Sequence, residues 1–276
     1  MSVKLSSVLK NVASENYDKG NVLTYIILCC ITNCIGQSLN FFKTSNKSLI
    51  FIFSIIAIIC SIIIVGTSIL ATNNAIHRKK GVFPNPFKEI GRTILVAIEA
   101  GFCSSIFWLI PAIILMVVCS IFFAGALLKS GSAGLSGLGG MLIISSIIMI
   151  IFFIFCVLLY YASYLNFVTT LKIGDFLNIK KGFNLLGKIK RKLVVLIIIV
   201  ASICAVSGFL TMPLMVKIQK GLISQPVAII LFFIMSFIQA IIGVYIVEYL
   251  AQIVRSTFPK KKKKPLEAKP APKNEI

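Results

Sequence analysis

Six long apolar runs alternate with polar segments along this chain: Asn21–Phe42, Ser48–Ala71, Thr93–Ala124, Met141–Leu165, Leu193–Pro213 and Pro226–Leu250. They are rich in Ile, Leu, Val and Phe and lack the polar/apolar alternation of a membrane barrel strand. A bilayer core of roughly 30 Å is crossed by about 20 helical residues, so each run is long enough for one crossing. In hydrocarbon every backbone N–H needs an internal partner, and a helix supplies it along its own length. The pattern predicts an all-α, polytopic membrane helix bundle of six spans.

The runs differ in quality. Asn33, Gln37 and Asn40 interrupt the first, which reads as an inward-facing or marginal helix. No small-residue cleavage pattern flanks it, so it is not a removable signal peptide. The third is over-long, and Pro111 at its middle permits a kink.

Two of the polar gaps are themselves amphipathic. In Asp175–Lys192, Phe176, Ile179, Phe183 and Leu186 recur at helical spacing, opposite Lys180, Lys181, Asn184, Lys188 and Arg191. Val82–Ile94 does the same with Phe83, Phe87, Ile90 and Ile94. Both read as cytoplasmic interfacial helices, apolar side in the headgroup boundary and cations against anionic lipid. These gaps share the phrase G-x-F-x-N, at Gly81–Asn85 and Gly174–Asn178. The spans that follow share S-x-F-x-x-x-P, at Ser105–Pro111 and Ser207–Pro213, which raises the possibility of a parallel internal repeat. The uncharged, Gly/Ser-rich stretch Ser130–Gly140 reads as a flexible tether. From Pro259 onward, five consecutive lysines followed by Pro265, Pro270 and Pro272 read as disordered tail. The expected organisation is an N-terminal segment over 1–20, a six-span domain over 21–258 and a basic tail over 259–276.

Composition agrees with this class: 58% of the residues are hydrophobic and the mean hydropathy is +1.00. The net charge of +20 would suggest nucleic acid, but its placement argues otherwise. Of the 28 Lys and Arg, all but five fall before the first span, in the second and fourth gaps, or after the last span. Positive residues accumulate on the cytoplasmic side of short loops, so both termini are expected inside, as an even number of spans requires. The expected location is the cytoplasmic (inner) membrane. The expected partners are the bilayer, its anionic headgroups at Lys180, Lys181, Lys188, Lys190, Arg191 and Lys192, and a further membrane protein.

Little in the chain points to chemistry. All eight cysteines lie within apolar runs, where they act as small packing residues. The single histidine, His77, stands beside Arg78, Lys79 and Lys80, a poor setting for a base or a metal ligand. Metalloprotease, P-loop and dinucleotide motifs are absent. With only eight acidic residues and no two in a short motif within a span, a metal-dependent lipid enzyme is disfavoured. No catalytic residue, cofactor or metal is therefore expected.

Two carboxylates stand apart. Glu99 lies about six residues, roughly 9 Å, into the third span, and Glu248 lies near the cytoplasmic end of the sixth. Intramembrane ionisable groups usually face a cavity or a partner. With Asn33 and Gln37 they form a candidate intramembrane polar site, a relay opening inward. The plainer reading has Glu99 at the interface and Glu248 satisfied by Gln252 or Arg255, one and two turns on. Small residues at Ala97, Gly101 and Ser105, and at Ala201 and Ala205, permit close helix approach.

Taken in order, several segments resemble an uncharacterised family of small prokaryotic multi-pass membrane proteins known only as a domain of unknown function. They are Ile64–Ala75, Pro84–Arg92, Phe107-Trp-Leu-Ile-Pro111, Tyr160–Leu171 leading into Lys172-Ile-Gly-Asp-Phe, Gly182-Phe-Asn-Leu-Leu with Lys188–Lys192, and Tyr249-Leu-Ala-Gln-Ile. The resemblance spans about Ile63–Val254. It departs at Pro84-Asn85-Pro86, where members of that family often carry acidic residues. It implies a membrane bundle and transfers no site residues. The function expected is that of a non-enzymatic integral membrane protein organising lipid or a partner complex. The alternative is a small-solute or ion transporter with an inward-facing polar cavity that includes Glu99. Convergence of Asn33, Gln37, Glu99, Gln239 and Glu248 on one cavity would favour transport, and dispersal would favour the scaffold.

Overall fold

A computed structural model describes residues 5–14, 16–41, 47–129, 135–220 and 222–257. Its helices are α1 (Leu5–Val12), α2 (Lys19–Phe41), α3 (Lys47–Ile76), α4 (Ile90–Lys129), α5 (Leu135–Thr170), α6 (Ile173–Leu177), α7 (Ile179–Gln219) and α8 (Gln225–Thr257). Six of them (α2, α3, α4, α5, α7 and α8) are long and apolar enough to cross a membrane. Each contains most or all of one expected span. Pro111 and Pro213 both lie inside helices.

Neighbour contacts close the six long helices into a ring in the order α2, α3, α4, α5, α7, α8, and α3 also reaches across to α5 and α8. Close approach is built into two of these pairs. A side chain at Gly66 of α3 would overlap the backbone carbonyl of Thr93 in α4, so glycine is required there. A methyl group at Gly182 of α7 would stand 2.5 Å from Ser163 Oγ of α5. The buried core gathers toward one end of the bundle, in the last turns of α3, α5 and α8 and the first turns of α4 and α7. Toward the other end large apolar side chains such as Phe51, Met116, Ile151 and Phe209 are exposed. Such rows need no protein partner when lipid covers them.

The two amphipathic gaps are built differently from the expected separate interfacial helices. Residues 82–89 form loop and turn, with Pro84 and Pro86 unable to supply helical N–H donors. Residues 179–192 are the first turns of the continuous 41-residue α7. There Leu185, Leu186, Ile189 and Leu193 make the buried stripe, while Ile179 and Phe183 are exposed. α7 packs on α5, where Gly182 meets Ser163 and Phe183 meets Phe155, so the buried stripe is set by the neighbouring helices. Part of the expected Gly/Ser tether, from Leu135, belongs to α5; residues 130–134 and the tail beyond Thr257 lie outside the described residues.

The G-x-F-x-N phrases prove to be one device used twice. α3 and α5 each end through a non-glycine residue in the left-handed region, Arg78 and Leu171, both at φ 54°. Three residues later stands Gly81 or Gly174, then a phenylalanine with no exposed surface, Phe83 or Phe176. Phe83 fits against Tyr17 and Tyr25, with ring centres 6.1 and 5.0 Å away. Phe176 fits among Phe107, Tyr160 and Phe167 at 5.9–6.2 Å. The asparagine ends the phrase by accepting backbone N–H groups of the next helical turn. Asn85 Oδ1 takes those of Phe87 and Lys88, and Asn178 Oδ1 takes that of Lys181. The second shared phrase has no such common role: Phe107 packs on Phe176, whereas Phe209 is 85% exposed.

Candidate functional site

The first loop is anchored by three asparagines. Asn21 Nδ2 donates to Phe83 O, Asn74 Nδ2 donates to Val82 O, and the carbonyl of Asn16 accepts from Val82 N. Asn73 of α3 and His77 just after it finish the neighbouring helix. Asn73 Nδ2 donates to the carbonyls of Val168 (2.7 Å) and Thr169 (3.1 Å), and His77 Nε2 lies 3.0 Å from Thr169 O. The last carbonyls of any helix lack intrahelical donors, so these contacts close the end of α5. His77 thus has a structural post.

On this platform sits the most deeply buried carboxylate among the described residues. Glu248 of α8 is only 2% exposed. Its Oε1 accepts from Asn11 Nδ2 at 2.8 Å and from Gln252 Nε2 at 3.1 Å, and it pairs with the Arg255 guanidinium. Its Oε2 accepts from the Tyr17 hydroxyl at 2.7 Å. Ser7 Oγ donates to Gln252 Oε1 at 2.9 Å, which extends the network along α1. A buried carboxylate needs its lone pairs satisfied and its charge countered, and here three neutral donors and one cation meet both needs. Burial, followed by the adjacent Glu248 charge, pushes the Tyr17 phenol well above the ordinary tyrosine range. Tyr17 is therefore a fixed donor at neutral pH.

Beside this network lies a cavity of about 280 Å³ whose lining includes Asn11, Tyr17, Arg78, Lys79, Glu248 and Arg255. A second cavity, of about 480 Å³, lies between α2, α7 and α8. Its polar lining is uncharged: Asn33, Ser207, Thr211, Ser236 and Gln239, with Gln239 Nε2 donating to Ser207 Oγ.

The expected site residues thus part company. Asn33 belongs to the uncharged cavity and Glu248 to the basic one, nine residues and about 13 Å along α8 from Gln239. Glu99, half-buried on α4 near Cys103, lines neither. The side chain of Gln37 lies outside the described residues. Asn33, Glu99 and Glu248 line no common cavity. Lys180, Lys181, Lys188, Lys190 and Arg191 are exposed at the start of α7. Lys192 is half-buried and donates to Ser256 Oγ at 2.7 Å. Lys181 pairs with Asp175, and its donated hydrogen bond lowers that carboxyl below the usual range. Among the described residues no group of three or more His, Cys, Asp or Glu is placed to hold a metal ion.

A family model described as a protein of unknown function, DUF4013, matches residues 49–251. The chain belongs to this family. The DUF4013 match takes in both G-x-F-x-N loops and Glu248, while Asn11 and Tyr17, which hold that carboxylate, precede it. Comparison with curated proteins gives no match, and comparison with solved structures gives none.

Sequence reasoning missed Ser7, Asn11 and Tyr17, which come from the segment over 1–20 that was assigned no role. One signal was available: Tyr17 is the lone aromatic residue before the first span. Arg78 and Lys79 were read as topological charge alone, since nothing local shows that they face a cavity.

Proposed function

We propose that this DUF4013 protein is a non-enzymatic, multi-pass protein of the cytoplasmic membrane, with both termini in the cytoplasm. In this reading its basic end gathers anionic lipid or a partner complex. The observation that carries it is the dispersal of the intramembrane polar groups: Asn33, Glu99 and Glu248 line no common cavity. Supporting it, α7 begins with exposed Lys180, Lys181, Lys188, Lys190 and Arg191, Lys79, Lys80 and Lys88 are exposed between α3 and α4, and Arg92 is exposed in the first turn of α4. Near an anionic leaflet each such cation contributes about 1 kcal/mol of attraction. The test is purification in native lipid followed by identification of bound lipids and proteins, with reporters fused to each terminus. Enrichment of anionic lipid with both reporters cytoplasmic is the expected result. An external reporter, or no enrichment over bulk lipid, overturns it.

A second reading, a transporter of a small uncharged solute, is favoured by the polar cavity between α2, α7 and α8. It no longer draws on Glu99. Uptake of solute by proteoliposomes, abolished by Gln239→Leu, would establish it in place of the scaffold.

A further inference from the structure

We infer that the cavity between α1, the α3–α4 loop and α8 is a binding site for a phosphate monoester group. It is distinct from the row of cations on α7, and its chemistry stands without the scaffold reading. Only its access to lipid headgroups rests on that reading.

The cavity is bounded by three parts of the chain that are remote in sequence. Asn11, Ser14, Asn16 and Tyr17 come from α1 and the residues after it, Arg78, Lys79 and Val82 from the first loop, and Glu248 and Arg255 from α8. Its charge is lopsided. The Glu248 carboxylate is taken up by Arg255, Asn11, Tyr17 and Gln252. Arg78 and Lys79 have no ion-pair partner among the described residues. Two uncompensated cations therefore face the same space, and a doubly charged anion matches them. A guanidinium presents paired N–H donors to a tetrahedral oxyanion, and a lysine adds a compact point charge.

Arg78 also stands where the backbone gives it no reason to be arginine. It occupies the left-handed region at φ 54°, where glycine is unstrained and other residues cost roughly 1–2 kcal/mol. The equivalent position of the second loop, Leu171, makes the same turn with an apolar side chain. The turn thus works without a charge, and the charge occurs in the loop that borders the cavity.

Size restricts the ligand. At about 280 Å³ the cavity lies at the small end of ligand sites, roughly 300–1,000 Å³, so it takes a headgroup and not an acyl chain. The shared chemistry is a phosphate monoester, from a lipid such as phosphatidic acid or from a soluble metabolite.

The test uses the full-length protein in nanodiscs of phosphatidylcholine. In one arm a few mole per cent of phosphatidic acid is added and retained lipids are counted by native mass spectrometry. In the other, inorganic phosphate is titrated against thermal unfolding, with chloride as control. Wild type should show saturable, single-site behaviour in at least one arm; the lipid arm alone indicates a headgroup, and the phosphate arm alone a soluble ligand. The double variant Arg78→Gln, Lys79→Gln, both exposed side chains, should weaken that binding by about tenfold or more, the loss expected for two charge-assisted contacts. A comparator, Lys180→Gln with Lys190→Gln and Arg191→Gln, should keep it and shed only loosely held lipid. No saturable binding in either arm, or equal losses in both variants, overturns the inference. A reporter result against the proposed membrane orientation would leave this binding unaffected, so the two readings fail separately.

Discussion

The hydroxyl of Tyr17 donates to Oε2 of Glu248 at 2.7 Å, joining the segment before the first span to the end of the last one. Neither residue has much meaning alone. A buried carboxylate without donors would be costly, and an isolated tyrosine in a polar lead-in would have nothing to bind. Together they fasten α1 to α8 and shape one wall of the basic cavity.

Removing parts of this network should have graded effects. Arg255→Met leaves Glu248 without its countercharge and should cost about 3–5 kcal/mol, the usual loss for breaking a buried pair. Tyr17→Phe removes one donor and should cost about 1–3 kcal/mol. Melting temperatures of the purified variants check the order; equal melting of wild type and Arg255→Met would refute it. The Tyr17 pKa is raised in the fold, so its contribution is present below the unfolded value of about 10 and is lost as pH climbs beyond it.

Gly66→Ala should separate α3 from α4. Its new methyl meets the Thr93 carbonyl, which cannot swing aside as a side chain can, and overpacking of this kind typically costs about 1–3 kcal/mol. Gly101→Ala on α4 is the control, since nothing lies within 4 Å of its added methyl. There the helix should gain up to about 1 kcal/mol from propensity. Unfolding in detergent separates the two outcomes.

At the α5–α7 contact the obstruction is a side chain, so it can be relieved. Gly182→Ala brings a methyl to 2.5 Å from Ser163 Oγ and should destabilise. That hydroxyl is buried without a hydrogen-bond partner, so Ser163→Ala alone should be neutral or stabilising. The double variant should recover much of the loss. Additive behaviour in a double-mutant cycle would show that the two positions do not touch.

The Asp175–Lys181 pair links α6 to α7 at the surface. Its hydrogen bond from Lys181 lowers the Asp175 pKa in the fold, so the stabilisation is present above the unfolded value of about 4 and is lost as pH falls through the lowered one. Asp175→Asn should lower the melting temperature slightly at pH 7, by the 0–1 kcal/mol typical of exposed pairs. The variant and wild type should converge once the pH is below that lowered pKa. A difference that persists there would point to lost packing instead of lost charge.

Asn73→Leu should open the end of α5. Two carbonyls, of Val168 and Thr169, lose their side-chain donor in a buried setting, at about 1–3 kcal/mol. Hydrogen exchange should rise first in the last turn of α5 and in α6, and an unchanged pattern there would contradict the assigned role.

The six long helices were legible because a membrane leaves the chain few options. Twenty or so apolar residues must be helical, and their ends follow from where the polar residues begin. The G-x-F-x-N phrase was legible as a shared motif, but Phe83 and Phe176 read as headgroup-facing residues. Only the structure buries them and makes Asn85 and Asn178 acceptors for the following turn. The buried face of α7 was not legible. Both Phe183 and Leu186 suit an apolar stripe, and only the packed bundle leaves the first exposed, beside Phe155 of α5, and buries the second. Gln252 and Arg255 were legible as partners of Glu248, one and two turns on along the same helix, but nothing local showed that Glu248 borders a cavity while Glu99 does not. What the sequence determined by itself was what local forces settle: the spans, the repeated loop phrase and the lopsided charge. The tertiary structure alone decided that Glu248 is held by Asn11 and Tyr17 and that Arg78 and Lys79 face the cavity beside it, because contacts between residues so far apart depend on how the helices pack and leave no periodic trace in the chain.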